Sequence, residues 1–344
     1  MVRGLSLGQR TVLTSVLATV IASAVVVAIA HITGADAIGR AFEHLNAPWI
    51  GLVAGAELLT YPAYMLAYRS IARIEGHAPI DLPVVARIVV AGFGPFALAG
   101  GFGIDKQALQ AICEDPDSAR RRVVALGTIE WVMLAPLACV VSIWLIVDGA
   151  NIMPSLLWPW ALSVPAGFAA ALWVTAERRT AWLAQVWGGR LASLASTLEG
   201  VGMMRALVRR WREFPGAWLG IGAYWAADIF AFYGALRVFG LNPGALEVVI
   251  AYATGYAATR RSLPLGGAGV TEFLMTYSLY WLRFPLAPAL AAVLCYRVFN
   301  FLMVMAPAVI AHKQLEPVFN GELAERMRRA GRAGRIHRRG PGAV

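Results

Sequence analysis

Charge, cysteine and long polar stretches are all scarce in this sequence. Charged residues make up 15% of it and hydrophobic residues 59%. A soluble globular chain carries about 25% charge, so this balance points to a polytopic membrane protein. Only three cysteines occur, Cys113, Cys139 and Cys295, and their spacing suits neither a metal site nor a disulfide framework. They read as apolar packing residues. The five histidines, His31, His44, His77, His312 and His337, form no ligand pair. No P-loop, HExxH, CxxC or Ser-His-Asp pattern is present, so neither metal nor other cofactor is expected. Acidic residues are outnumbered by basic ones, 20 to 30, giving a formal charge of +10. In a membrane chain that excess is a topology signal and an attraction to anionic lipid. Nucleic acid is not an expected partner.

The apolar runs come in order. Thr11 to Thr33 is a first span, too long for a signal-peptide core and read as retained. Ala47 to Tyr68 and Val123 to Val147 follow, carrying Glu57 and Glu130. Leu156 to Thr175, Gly216 to Phe239 and Ala287 to Ala311 come later, with Asp228 in the second and Arg297 and Asn300 in the third. Between spans, 177–214 alternates apolar and arginine-rich positions at helical spacing, as an amphipathic helix on a leaflet surface does. The expected organisation is one membrane domain, 1–312, with halves at about 11–147 and 154–311. A basic tail, 313–344, is expected to be disordered or to lie on anionic lipid.

Two apolar stretches are not plain spans. Ala245 to Trp281 contains Arg260, Arg261, Pro264, Gly266, Gly267, Gly269 and Glu272. Leu82 to Ile112 contains Pro95, Gly100, Gly101, Gly103 and Asp105. Proline removes a backbone donor, glycine weakens a helix, and charge in hydrocarbon is costly unless it faces a cavity. Both stretches predict two half-helices meeting at a broken tip. They share Gly-Gly-X-Gly, a branched aliphatic and then a carboxylate. Each half of the chain thus reads as three spans and one re-entrant broken-helix hairpin. That is an odd number of crossings, so the second half is expected upside down relative to the first. The predicted fold class is an all-α polytopic membrane protein of two inverted-topology repeats. Arg69, Arg120, Arg121, Arg122, the linker and the tail then fall on the cytoplasmic side of a bacterial-type inner (plasma) membrane, with both termini cytoplasmic. Paired broken segments are a pointer to a transport site near the bilayer midplane.

The charges at depth are open to two readings. They are structural ion pairs, or they line a cavity in which Arg260, Arg261 and Arg297 meet a lipid phosphate. Arginine suits phosphate because its planar fork donates parallel hydrogen bonds. Gly266, Gly267 and Gly269 would allow close backbone approach, and half-helix N-termini favour anions. A competing motif, Asp115-Pro116-Asp117, has the Asp-X-Asp form that some glycosyltransferases use on a metal-bound sugar nucleotide. Helix-capping chemistry predicts the same residues there.

The run Leu263-Pro264-Leu265-Gly266-Gly267-Ala268-Gly269-Val270-Thr271-Glu272, followed by Cys295-Tyr296-Arg297, resembles the transmembrane region of lysylphosphatidylglycerol synthases. Glu130 resembles the Glu of that family's Glu-Arg pair, with Trp131 in place of the Arg. Near the first broken segment Gly103 and Asp105 stand where the family has an Arg and a Gly-Glu. The resemblance implies a bundle of membrane segments with two re-entrant hairpins that translocates lipid between leaflets. Taken with the reading of the charges and glycines at depth, the expected substrate-binding residues are Arg260, Arg261, Gly266, Gly267, Gly269, Glu272, Arg297, Glu130, Gly100, Gly101 and Asp105. In bifunctional members a soluble aminoacyltransferase domain follows. Here a short basic tail follows, so lipid aminoacylation is not expected. The expected partner is a membrane lipid with an anionic or zwitterionic headgroup. A separate lipid-modifying enzyme and a second copy of the chain are further candidates. An integral-membrane glycosyltransferase using a lipid-linked sugar is the alternative activity, and a non-catalytic partner of a lipid-modifying enzyme is another.

Overall fold

Six helices begin on a proline at their first or second position, where the missing N–H removes a donor that would have no partner inside the helix. The elements of the computed structural model are α1 (Leu7–Thr33), α2 (Ala35–Glu43), α3 (Ala47–Ala72), α4 (Leu82–Phe93), α5 (Gly103–Ile112), α6 (Pro116–Val147), α7 (Pro154–Val174), α8 (Pro215–Val238), α9 (Ala245–Ala257), α10 (Val270–Trp281), α11 (Leu286–Arg297), a π-helical turn (Val298–Leu302), α12 (Met305–Gln314) and α13 (Glu316–Phe319). The structure describes residues 7–43, 45–73, 80–93, 102–112, 116–176, 202, 205, 207–257 and 267–320. No strand occurs among them.

Six helices are long and apolar enough to cross a membrane: Val16–Thr33, Ala47–Ala72, Ser118–Val147, Pro154–Val174, Pro215–Val238 and Leu286–Gln314. They coincide with the six runs read from the sequence. Prolines inside α3, α6 and α7 do not end those helices, a tolerance typical of membrane spans. The two broken stretches are each a pair of short helices packed on one another, α4 with α5 and α9 with α10. The 12 residues of α4 reach about 18 Å at 1.5 Å per residue, short of the roughly 30 Å hydrocarbon core. The tips themselves, 94–101 and 258–266, lie outside the described residues, as do most of the expected amphipathic linker and the tail beyond Asn320.

The centre of the bundle is the antiparallel contact of α3 with α8. It is close because glycine lines it. A Cβ on Gly220 would lie 2.5 Å from the Ala67 nitrogen and 2.7 Å from the Ala63 oxygen. One on Gly216 would run into Ser70 Oγ, and one on Gly234 would meet Val53 at 2.9 Å. Gly216 and Gly220 are four residues apart on one face, the small-residue spacing by which membrane helices approach. Around this pair the two halves exchange partners. α1 packs on α10 and α11, whereas α7 packs on α6. α4 packs on α12, and α9 on α6.

Candidate functional site

The polar core is built on α10, the π-helical turn, α3 and α8. Gly267 and Gly269 have φ of 71° and 82°, left-handed values that L side chains rarely adopt. This turn starts α10 and leaves the Gly269 N–H pointing at the carboxylate one turn on: it donates to Glu272 Oε2 at 2.7 Å. Thr271 Oγ1 donates to the Gly267 carbonyl at 3.2 Å. The same glycine is needed by packing, because a Cβ on Gly269 would lie 2.9 Å from Ile21 on α1.

Glu272 Oε1 accepts from Arg297 Nε at 2.7 Å, with side-chain exposures of 6% and 16%. Arg297 Nη1 reaches Asn300 Oδ1 at 3.5 Å, the limit of a hydrogen bond. Its Nη2 has no hydrogen-bond acceptor among the described residues. The π-helical turn after Arg297 is what brings Asn300 to the same interior; such insertions recur at functional sites. Asn300 Nδ2 then donates towards two carboxylates, Asp228 Oδ1 at 3.3 Å and Glu57 Oε2 at 3.4 Å. Asp228 is fully buried and is held by three phenols. Tyr296 donates to Oδ1 at 2.7 Å, and Tyr252 and Tyr224 to Oδ2 at 2.5 and 3.2 Å. Bringing carboxylates this deep is tolerable only with such donors.

A second polar node lies across an aromatic wall. Tyr64 donates to Glu130 Oε1 at 2.7 Å, and the Trp225 indole donates to the Glu130 carbonyl at 3.1 Å. The Tyr64 and Tyr224 rings meet edge to face at 5.4 Å and join the two nodes. Phe93, at the end of α4, packs on both at 4.9 and 5.9 Å. Asp105 is buried behind this wall, its carboxylate against Gly92.

The structure therefore brings Gly267, Gly269, Glu272 and Arg297 into one cluster, with Glu130 and Asp105 at its aromatic border. Arg260, Arg261, Gly266, Gly100 and Gly101 lie outside the described residues. Asp115 does too, while Asp117 sits in the first turn of α6, where a capping or first-turn role was the simpler expectation. Glu57, Asp228 and Asn300, which the sequence marks only as polar groups in spans, join the site here, as do Tyr64, Tyr224 and Tyr252, which no sequence pattern singles out. Among the described residues no group of three His, Cys, Asp or Glu has the geometry to hold a metal ion.

Six apolar helices around a buried, hydrogen-bonded charge network define a multi-pass all-α membrane protein. The family model for the lysylphosphatidylglycerol synthase transmembrane region matches residues 15–308, and the chain belongs to that family. No curated protein gives a significant match to it.

Proposed function

We propose that this protein moves a polar-headgroup phospholipid, or a lipid-linked intermediate, between the leaflets of a plasma membrane. Membership of a lipid-related membrane family supports contact with membrane lipid. The observation that carries the finer reading is Arg297. It is half-buried in the bundle, oriented by Glu272 through Nε and by Asn300 through Nη1, and its Nη2 is left without an acceptor among the described residues. A phosphate oxygen is the acceptor this geometry suits. The neighbouring carboxylates, Asp228 and Glu57, would favour a headgroup that also carries an amine or hydroxyls. Arg260 and Arg261 are proposed as further phosphate ligands, and Gly100, Gly101, Gly266 and Gly267 as close-approach positions. The membrane domain is proposed to span 1–312, with 313–344 as a basic tail. A second copy or a separate lipid-modifying enzyme are proposed partners.

The exchange of partners between the halves supports an inverted repeat with two re-entrant hairpins, the architecture that suits alternating access about a midplane site. Reconstitution tests the function directly. Liposomes holding the protein and a headgroup-labelled phospholipid should lose more than half of their label to an impermeant quencher. Protein-free liposomes should lose only the outer-leaflet half. Equal loss in both would reject lipid translocation.

A further inference from the structure

We propose that a groove between α6 and α7 seats the acyl chains of a phospholipid whose phosphate is held by Arg205. The groove has a volume of about 840 Å³. One stripe of α7 runs along it from Pro159 to Thr175, about 24 Å at 1.5 Å per residue and so most of the roughly 30 Å hydrocarbon core. α7 buries only Leu156 and Leu157 of its own residues, so this stripe is not consumed by packing among the described residues. The walls are aliphatic and aromatic for nearly their full length, and they include Arg205, which lies in the chain between the end of α7 and the start of α8. Arg205 is half-buried and has no ion-pair partner among the described residues. A cation on the wall of an otherwise apolar slot is complementary to an acyl chain ending in a phosphate. The opposite part of α7 is tied down by Trp160, whose indole donates to Thr254 Oγ1 at 2.9 Å, which fixes the width.

The groove is also back to back with the polar core. Trp131 lines it beside Glu130, Thr254 lies between Tyr252 and Tyr256, and Leu274 follows Glu272 by two residues. A lipid seated here therefore rests on α6, α9 and α10, the helices that carry Glu130, Tyr252 and Glu272. Taking that lipid as cargo rests on the translocation reading above.

The test uses the full chain in bilayer nanodiscs with two probes that carry the same diazirine-bearing acyl chain, phosphatidylglycerol and diacylglycerol. Phosphatidylglycerol should label the α6 and α7 peptides about tenfold more than diacylglycerol, the discrimination expected of one charge-assisted phosphate contact. Gly167→Phe should remove that labelling. Gly167 lines the groove and a Cβ there meets nothing within 4 Å, so the added side chain starts in open space, and an unchanged unfolding temperature checks that the fold is kept. Arg205→Ala should keep the labelling but erase the preference. Equal labelling by both probes, unchanged in Gly167→Phe, would mean ordinary bilayer lipid and overturn the proposal. Cross-links from the groove to residues 177–204 in place of lipid would overturn it as well, since the chain's own linker would then be the occupant. A protein that moves lipid in liposomes but labels without selectivity refutes the groove alone. Selective labelling by a protein that moves no lipid refutes translocation and leaves the lipid site standing.

Discussion

At the scale of the residue, the pair of buried Glu272 and half-buried Arg297 decides most. Arg297→Ala leaves a carboxylate buried without its cation, a loss of about 3–5 kcal/mol. Lipid transfer should fall to background at matched protein density. Arg297→Lys should restore the protein's stability but only part of the transfer, because an ammonium lacks the planar fork. Full transfer by Arg297→Ala would make the pair a structural one. Glu272→Gln keeps one acceptor oxygen for Arg297 but turns its amide NH2 on the Gly269 N–H, so it is read beside thermal stability: retained transfer means positioning, and background transfer at every pH with unchanged unfolding temperature means a proton carrier. Gly269→Ala is predicted to be worse than its size suggests. The left-handed backbone alone costs an alanine about 1–2 kcal/mol, and the methyl would also meet Ile21 at 2.9 Å. Thermal unfolding in detergent should shift down, and Gly103→Ala, whose Cβ meets nothing within 4 Å, should shift far less. The pair and the glycines were legible in the sequence because charge and glycine stand out in an apolar run. Tyr224, Tyr252 and Tyr64 were not, since a tyrosine in a membrane helix looks like any other large apolar residue until its hydroxyl has a partner.

At the scale of the element, helix breaks were legible and helix contacts were not. Pro and Gly mark both broken segments, and the structure has short helices there. Which helices touch depends on faces, and an apolar helix in lipid has no polar face to betray its orientation. The α3–α8 seam is the clearest case. Gly216 and Gly220 read as ordinary members of a glycine-rich span, yet a Cβ on Gly220 would sit 2.5 Å from backbone nitrogen. Backbone cannot swing aside as a side chain can. Gly220→Ala is therefore expected to cost about 1–3 kcal/mol, the range for overpacking. Gly222, two positions on, would meet only the flexible end of Met133 at 3.2 Å, and Gly222→Ala should be close to neutral. Detergent thermal-shift measurements on both variants check the seam. Equal shifts would mean that α3 and α8 do not meet as described. The π-helical turn was equally hidden. Its effect, turning Asn300 towards Asp228 and Glu57, arises from an extra residue in the turn that no periodicity announces.

At the scale of the whole molecule, the question is which way each half faces. The expected topology puts 34–46, the 148–153 turn and 240–244 outside, and 74–81, the linker and the tail inside. Several contacts show which helix ends share a face. The Asn46 N–H donates to the Val238 carbonyl at 2.9 Å, and Phe42 meets Phe239 edge to face at 5.2 Å, so the start of α3 and the end of α8 share one face. Gly216 lies by Ser70 at the other end of the same two helices, so the basic Arg69 region and the start of α8 share the opposite face. α13 packs on α5, which brings the tail's root to the end of the first broken segment. An inserted chain with both halves in the same orientation would set α3 and α8 parallel, contrary to these pairings. The remaining choice is which face is the cytoplasm, and the proposed orientation places the basic loops there by the positive-inside rule. In a background without Cys113, Cys139 and Cys295, single cysteines at the exposed positions Asn151 and Asn242 should react with an impermeant maleimide on intact cells. Cysteines at the exposed positions Asp81 and Asn320 should react only after permeabilisation. If Asn151 and Asp81 label from the same side, an odd number of crossings between them is impossible in the way proposed, and the first half is not three spans plus a hairpin. If Asn242 and Asn320 label from the same side, the second half fails in the same way. Both pairs splitting, with Asn151 and Asn242 outside together, is the pattern that only the inverted arrangement gives.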